Sequence, residues 1–485
     1  MRNRILAIAA ATLLAGCNLA PPYRQPPPPV PAAFPTAPVA TVTRRAIELG
    51  WRDYFGDEQL KTMIAAALAN NRDLAQSLAR VAQARAQFRI QDSQRLPQVD
   101  LNGGYTRSRQ PIASLGFDDV IGAGDSPNAI VFQNYTANVG VASFELDLWG
   151  RVRNLSDQAR AQFLASVQGA RTFRLSLISQ VAAAYYSLRS GEERIALARD
   201  TLAGRIEGVR IAKRRLDAGV TSTVDYDQTV LLQTQAEVEL AELQRTTEQS
   251  RNLLTVLVGG PIAATLPEPR PLADAGQFRG LEPGLPSDLL TDRPDVLEAE
   301  FNLRAANANI GAARAAFFPQ ISLTGTYGFA SPALGDLFQG SKKAWSYGGT
   351  LGLPIFDWGR RRAELRLSRA QADELSATYQ SVVQQAFREV ADALVARRFY
   401  ADQLDAQAQT VATQQRLART ARRRYDQGLS IYLEVLDAER NRFAAQQTLI
   451  DLRSAALQNG VSLFVALGGG LRERYDDPVP PIDRP

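Results

Sequence analysis

Residues 151–216 read RVRNLSDQARAQFLASVQGARTFRLSLISQVAAAYYSLRSGEERIALARDTLAGRIEGVRIAKRRL, 66 residues without a proline. At about 1.5 Å per residue, one helix of this length would be roughly 100 Å long, more than any globular core needs. Leu188, Ile195, Leu202, Val209 and Leu216 recur every seven residues. A seven-residue apolar seam predicts packing against other helices in coiled-coil fashion, with a left-handed twist. A second stretch, Arg360–Tyr425, has the same length and also lacks proline. Its residues at the matching positions are Arg397, Leu404, Val411, Ala418 and Tyr425.

The match between the two stretches extends outward on both sides. Leu96-Pro97-Gln98-Val99 and Tyr105 pair with Phe318-Pro319-Gln320-Ile321 and Tyr327 at an offset of 222. Trp149-Gly150-Arg151 pairs with Trp358-Gly359-Arg360 at an offset of 209, which also relates Gly219 to Gly428 and Val256 to Val465. The 13-residue difference places a longer loop in the first copy, around Pro111–Asn128. Such self-similarity marks a duplicated unit. The chain therefore divides into residues 1–16, a tether 17–50, a first repeat 51–260, a linker 261–286 with six prolines, a second repeat 287–468 and a tail 469–485. Each repeat reads as helix, two strands, long helix, tight turn, helix. The flanking helices, about 24 and about 35 residues, together reach roughly 90 Å and could stack to match one long helix.

The strand candidates are Val99–Arg107, Tyr135–Leu148, Gln320–Phe329 and Trp345–Ile355. Ile321, Leu323, Tyr327 and Phe329 alternate with Ser322, Thr324 and Thr326. That alternation suits a membrane β-barrel and equally an antiparallel sheet with one buried face. No helical segment of the mature chain is an uncharged apolar run near 20 residues, so any membrane-spanning part must be the strands. Four strands cannot close a barrel, and an open sheet edge is excluded from lipid, so a membrane role requires at least two chains.

The first residues indicate where the chain is delivered. Met1-Arg2-Asn3-Arg4, the short apolar run Ile5–Leu14 and the small pair Ala15-Gly16 have the form of a secretory signal. Leu14-Ala15-Gly16-Cys17 resembles a bacterial lipobox, in which the cysteine is acylated and becomes the first mature residue. Asn18 follows it, which favours the outer membrane. The proline-rich Pro21–Pro38 reads as a stiff, extended tether.

Composition removes other classes of function. There is no histidine, and Cys17 is the only cysteine. Ser-His-Asp and Cys-His chemistry, His-based zinc sites and intrachain disulfides are thereby excluded. No phosphate loop or metal cluster is visible, so neither an enzyme, a cofactor nor a metal is expected. The net charge of +5, or +3 without Arg2 and Arg4, is spread among acidic neighbours and gives nucleic-acid binding little support.

Several stretches together resemble the TolC/OprM-type outer membrane factor family, in its NodT-like lipoprotein branch. They are Cys17 with Pro21, Tyr23 and Pro26; Trp51, Phe55, Asp57 and Leu60; Asn71-Arg72-Asp73-Leu74; Glu145–Arg151; Pro283–Leu290 with Arg293-Pro294-Asp295; and Ile310–Pro319. The resemblance covers nearly the whole chain in order. It implies a mainly α fold with β structure: a long α-helical coiled-coil barrel and a transmembrane β-barrel of 12 strands, four from each chain of a homotrimer. It also implies an exit duct in the outer membrane that extends into the periplasm, with a periplasmic adaptor and an inner-membrane transporter of RND type as partners. Small-molecule export is the expected use. A type I protein-secretion duct and a coiled-coil envelope tether without a pore are the competing readings.

The same resemblance assigns residues. The long helices end in matched turns that hold Gly219, Val220, Thr221 and Ser222 and Gly428, Leu429 and Ser430. Glycine C-caps followed by hydroxyl N-caps predict helical hairpins, and the family docks its adaptor at such tips. Asp225, Tyr425, Glu434 and Asp437 match the family's periplasmic constriction. Three-fold symmetry would gather them into rings that attract cations. Glu434 stands where aspartate is usual, and Ser430 where the best-studied branch has a gating arginine. Lys213-Arg214-Arg215 and Arg422-Arg423-Arg424 suit helix C-termini and equally an acidic partner. Trp149 and Trp358 occupy matched strand-to-helix corners, read mainly as packing at a barrel–tunnel junction and secondarily as a membrane-interface belt.

Overall fold

Both proline-free stretches are single helices. In the computed structural model, which describes residues 18–34, 44–111, 129–262, 266–276, 281–282, 286–475 and 477–479, each contains 67 residues and ends on an aspartate. The first half of the chain is α1 (Glu58–Asn70), α2 (Arg72–Ser93), β1 (Asp100–Pro111), β2 (Ala129–Glu145), α3 (Arg151–Asp217) and α4 (Thr223–Val258). The second is α5 (Pro294–Ala315), β3 (Gln320–Ser331), β4 (Lys343–Gly352), α6 (Arg360–Asp426) and α7 (Tyr432–Ala466). Cys17 and most of the longer first-repeat loop lie outside the described residues.

The helix before the strands differs between the halves. In the first it breaks at Asn71, which is extended at φ −61° and ψ 128°. The buried Asn71 side chain accepts from Leu74 N at 2.9 Å, capping α2, and donates to Leu257 O at 2.9 Å. An asparagine able to satisfy both a helix start and a neighbouring carbonyl makes the break favourable. In the second half Pro294 opens α5, where its missing N–H leaves nothing unpaired.

The chain forms two units. One comprises residues 1–25, 83–163 and 301–377, and the other residues 26–82, 164–300 and 378–485. The first contains an antiparallel meander in the order β1-β2-β3-β4, which leaves β1 and β4 as open edges. Its register sets Tyr105 opposite Tyr135, Val139 opposite Tyr327, and Tyr327 opposite Trp345. Side chains alternate across a sheet, so one face carries Leu101, Tyr105, Val139, Tyr327, Trp345 and Tyr347. The other carries Asn102, Asn138, Thr136, Thr326, Thr350 and Ser346, with Thr326 and Ser346 hydroxyls 2.7 Å apart. A soluble sheet would bury the apolar face. Here Leu101 is 80% exposed, Trp345 65% and Tyr347 82%.

Strand ends differ from the periodicity reading for identifiable reasons. β2 starts at Ala129 because Ile130–Gln133 continue the ladder with β1, past Asn134, which is polar but still pairs. It stops at Glu145, since Leu148 N turns back to Leu146 O at 2.9 Å ahead of Gly150 at φ 73°. β4 stops at Gly352, two residues before Pro354, which has no N–H to donate. A bulge in β2 lets Ala142 and Ser143 oppose one residue, so Phe144 joins the apolar face opposite Leu323.

The second unit holds a helical core. Tyr54 stacks on Phe464 at 4.0 Å with both fully buried. Buried Asp57 caps α1 through Gln59 N at 2.9 Å and accepts the Tyr185 hydroxyl at 2.7 Å. Arg293 is buried against Asp295, Glu389 and the Ala466 carbonyl. Of the heptad positions, Leu188 on α3 and Val411 and Ala418 on α6 are buried, Val411 packing with Ala445 and Leu449 on α7, while Arg397 is exposed. No described helix is long and apolar enough to cross a membrane.

The described part of the proline-rich segment, residues 21–34, forms no helix or strand, and several of its residues pack on the helices. In the first unit Arg314 donates to Leu19 O at 3.1 Å, Asn307 donates to Pro21 O at 2.8 Å, and the Arg304 guanidinium lies 5.0 Å over the Tyr23 ring. In the second unit Phe34, 6% exposed, stacks on Phe387 at 5.0 Å.

Candidate functional site: the paired helix tips

The two tips are built alike on one side and differently on the other. At the end of α3, Val220 N reaches Arg215 O and Gly219 N reaches Leu216 O, both at 2.9 Å, with Gly219 at φ 71°. At the end of α6, Leu429 N reaches Arg424 O at 2.8 Å and Gly428 N reaches Tyr425 O at 2.9 Å, with Gly428 at φ 73°. These are Schellman motifs, which need a left-handed residue and therefore favour glycine. No atom stands within 4 Å of a Cβ built on either glycine, so backbone conformation alone explains the residue type.

The following helices start differently. Ser222 and Asp225 form a full capping box: Asp225 N donates to Ser222 Oγ at 3.1 Å, and Ser222 N donates to Asp225 Oδ2 at 3.3 Å. Ser222 Oγ and Thr221 Oγ1 each donate to the same carboxylate oxygen at 2.9 Å. These hydrogen bonds, the one from the Ser222 hydroxyl foremost, hold the Asp225 carboxyl below its ordinary range. The second tip has Ile431 at the N-cap with no side-chain cap. The Ser430 hydroxyl is buried without a partner among the described residues.

Asp225, expected at a constriction, is thus also the anchor of its own helix start. Asp437 accepts from Arg440 and, at 3.1 Å, from Asn441, both on α7. Tyr425 takes a cation that the sequence reading did not assign. The Arg215 guanidinium donates to the Tyr425 hydroxyl and lies 5.0 Å over its ring, joining the ends of α3 and α6. Tyr425 also packs against Tyr432 at 4.8 Å. The Tyr432 hydroxyl lies 2.8 Å from where a Cβ on Gly208 would stand, so that glycine makes room for it. Burial raises the Tyr432 pKa, with the nearby Arg422 charge opposing the rise. Lys213 and Arg422 pair with Asp217 and Asp426 one turn on, at 2.7 and 3.3 Å. Arg215 and Gly208 had no distinguishing spacing in the sequence. Their role depends on which helices meet.

The outermost side chains at the tips are apolar. Val220 is 62% exposed, Leu429 66% and Ile431 65%, and exposed apolar side chains continue along the helices at Leu231, Val238 and Leu417.

The outer membrane efflux protein family model matches residues 63–260 and 285–469. A toluene efflux pump outer membrane protein of Pseudomonas putida is 41% identical over 98% of this chain and 97% of its own length. Outer membrane protein OprJ of Pseudomonas aeruginosa is 37% identical over 97% of this chain and 96% of its own. The open-state outer membrane channel MtrE of Neisseria gonorrhoeae superposes with a TM-score of 0.86 at 35% identity, covering 95% of this chain and 100% of that one. The chain belongs to the outer membrane efflux protein family, whose members are transport ducts and not enzymes.

Proposed function

We propose that this chain is the outer-membrane exit duct of a tripartite efflux pump and passes small toxic molecules to the exterior. The observation that carries this reading is the four-stranded sheet. It has an exposed aromatic and aliphatic face, a face of Asn, Thr, Ser and Gly, and two open edges. Lipid outside and water inside is the environment that such a sheet fits, and only closure with other copies removes the edges. Three copies with four strands each make the 12-stranded barrel of the family. Cys17, acylated after removal of residues 1–16, anchors the duct to the outer membrane. The named substrates of the relatives, toluene among them, favour small molecules over secreted proteins. The tether reading leaves the exposed apolar sheet face without a use.

The tips serve as the periplasmic mouth. Val220, Leu429 and their neighbours dock a periplasmic adaptor, and the adaptor couples the duct to an RND-type transporter. Asp225, Tyr425, Glu434 and Asp437 line the constriction, with the Arg215–Tyr425 contact as its latch. Cell-surface-independent capture tests the docking: a Leu429→Cys variant carrying a photocrosslinker in living cells should capture an adaptor with a helical hairpin. Recovery of peptidoglycan-associated proteins in its place would support the envelope-tether reading and overturn the duct.

A further inference from the structure

The four strands carry charge only near their ends. Residues 101–106, 129–144, 320–331 and 344–352 hold no charged side chain. Asp100 and Glu145 bound this uncharged band where β1 and β2 join α2 and α3. Arg107 and Arg109 on β1 and Lys343 on β4 bound it at the hairpin end. The strands are thus acidic toward the helices and basic toward the hairpins. Arg107 and Arg109 continue the two-residue spacing of Tyr105, and Lys343 precedes Trp345 by two. Neither the β1–β2 nor the β3–β4 pairing contains a bulge, so all three cations project from the apolar face. The other face at this height carries Ser108, Gln110, Phe132 and Ala344, none of them charged. The three cations are exposed, and none of their side chains makes a hydrogen bond or ion pair among the described residues. Asp336, the only acidic residue of segment 332–342 in the β3–β4 hairpin, accepts from Gln339 at 2.7 Å.

We propose that Arg107, Arg109 and Lys343 bind the phosphate groups of an outer-leaflet glycolipid, whose acyl chains lie on the aromatic face below them. The inference rests on the reading of the sheet as a membrane wall, with the helices on the periplasmic side and the hairpins outside, and adds a lipid class that the wall holds.

Height and chemistry both point to that partner. Tyr105 lies 4.5 Å from Tyr135, and Trp345 stacks on Tyr347 at 5.5 Å. Rings of this kind mark the level where hydrocarbon meets headgroups. Two residues along a strand add about 7 Å, which sets Arg107 and Lys343 at the headgroups themselves. A cation facing lipid without a partner is costly, so its head must reach an anionic group or water. Guanidinium groups match phosphate oxygens with paired N–H donors, and Lys343 adds a compact charge. Gln133, opposite Arg107, adds an amide donor. A free phosphate would meet the cations alone, whereas a lipid phosphate also brings acyl chains to the exposed rings of Trp345 and Tyr347. Edge strands commonly carry charges that block unwanted pairing. Such charges would serve at any height and on either face, whereas these three keep to one face and one end.

Native mass spectrometry of the purified full-length protein in detergent tests the site, with bis-phosphorylated lipid A or its dephosphorylated form added. The wild type should retain the phosphorylated form over the other by about tenfold. An Arg107→Gln, Arg109→Gln, Lys343→Gln triple variant should lose this preference, and an Arg107→Lys, Arg109→Lys variant should keep most of it. Inorganic phosphate at the same concentration should displace neither lipid. Equal retention of the two forms by the wild type would overturn the inference, and this comparison stands even if the triple variant fails to assemble. An assembled triple variant that keeps the preference would show that the three charges only guard the strand edges. Displacement by inorganic phosphate would assign the cations to the free ion and overturn the lipid. Planar-bilayer conductance of the same preparation separates the two levels. A conducting oligomer without the preference overturns the lipid site alone, and a monomer that does not conduct overturns the membrane wall on which it rests.

Discussion

The guanidinium of Arg215, at the end of α3, donates to the hydroxyl of Tyr425, at the end of α6, and lies 5.0 Å over its ring. One residue of the first repeat thus holds one of the second, at the ends of the two long helices where the periplasmic mouth is proposed. The Ser430 hydroxyl, at the tip of the second hairpin, has no partner among the described residues. The cation here comes from the neighbouring long helix. Hydrogen bonds to charged groups are worth about 1.5–3 kcal/mol when sheltered, and exposure at a tip reduces this to about 1 kcal/mol. Arg215→Ala should therefore raise the open fraction roughly fivefold. Single-channel recording would show it as higher open probability, and Tyr425→Phe should give a smaller rise because the ring contact survives.

The capping box gives the first tip a stability that the second lacks. Ser222→Ala should cost about 1 kcal/mol at the start of α4. Amide exchange over residues 223–226 should quicken roughly fivefold, with little change over 432–435. The same box is pH-dependent. Asp225 has a depressed folded pKa, so its contribution is fully present above the unfolded carboxylate value near about 3.9 and is lost as pH falls through the folded one. Protection of residues 223–226 should therefore decline only in strong acid.

Gly219 and Gly428 have positive φ and open space around them. Alanine at either position should cost about 1 kcal/mol through backbone strain alone. Asparagine, which tolerates the left-handed region, should cost less. Denaturant unfolding of the two pairs of variants would separate this from a docking defect, which should strike adaptor capture by alanine and asparagine alike.

The acidic residues of the proposed mouth should not contribute equally. Asp437 is paired with Arg440 on its own helix, which offsets its field. Glu434→Ala should therefore reduce the cation preference of the conductance more than Asp437→Ala does. Equal effects in reversal-potential measurements would show that the Arg440 pair does not persist in the assembled mouth.

Arg293 is 7% exposed and satisfied by Asp295, Glu389 and the Ala466 carbonyl. The carboxylates left behind by its removal are partly solvated, at 28% exposure for Asp295 and 40% for Glu389, so the loss falls below the about 3–5 kcal/mol of a fully buried pair. Arg293→Ala should accordingly reduce assembled protein in the outer membrane more than any of the tip variants.

The long helices, their glycine-terminated tips and the four strands were legible because each rests on local rules: absence of proline, seven-residue spacing, left-handed caps, two-residue alternation. Alternation alone left a soluble sheet open. The exposure of Leu101, Trp345 and Tyr347 on one face favours the membrane reading, and exposure is a tertiary property. The Asn71 break was hidden because it depends on Leu257 O, 186 residues away. The β2 bulge hid one residue inside a repeat offset. Arg215 was visible only as one of three basic residues suited to a helix C-terminus, since its partner Tyr425 lies on another helix. The two corner tryptophans looked equivalent, and only the fold shows that Trp149 stacks on Phe318 while Trp358 is 90% exposed.

The proposed function requires a water-filled duct through the outer membrane. Reconstitution of the purified full-length protein into planar lipid bilayers tests it most directly, with wild type, Arg215→Ala and Tyr425→Phe side by side. Discrete, cation-preferring conductance steps are expected, rare in wild type and more frequent in both variants. An intact oligomer that inserts into the bilayer and conducts in none of the three would contradict it.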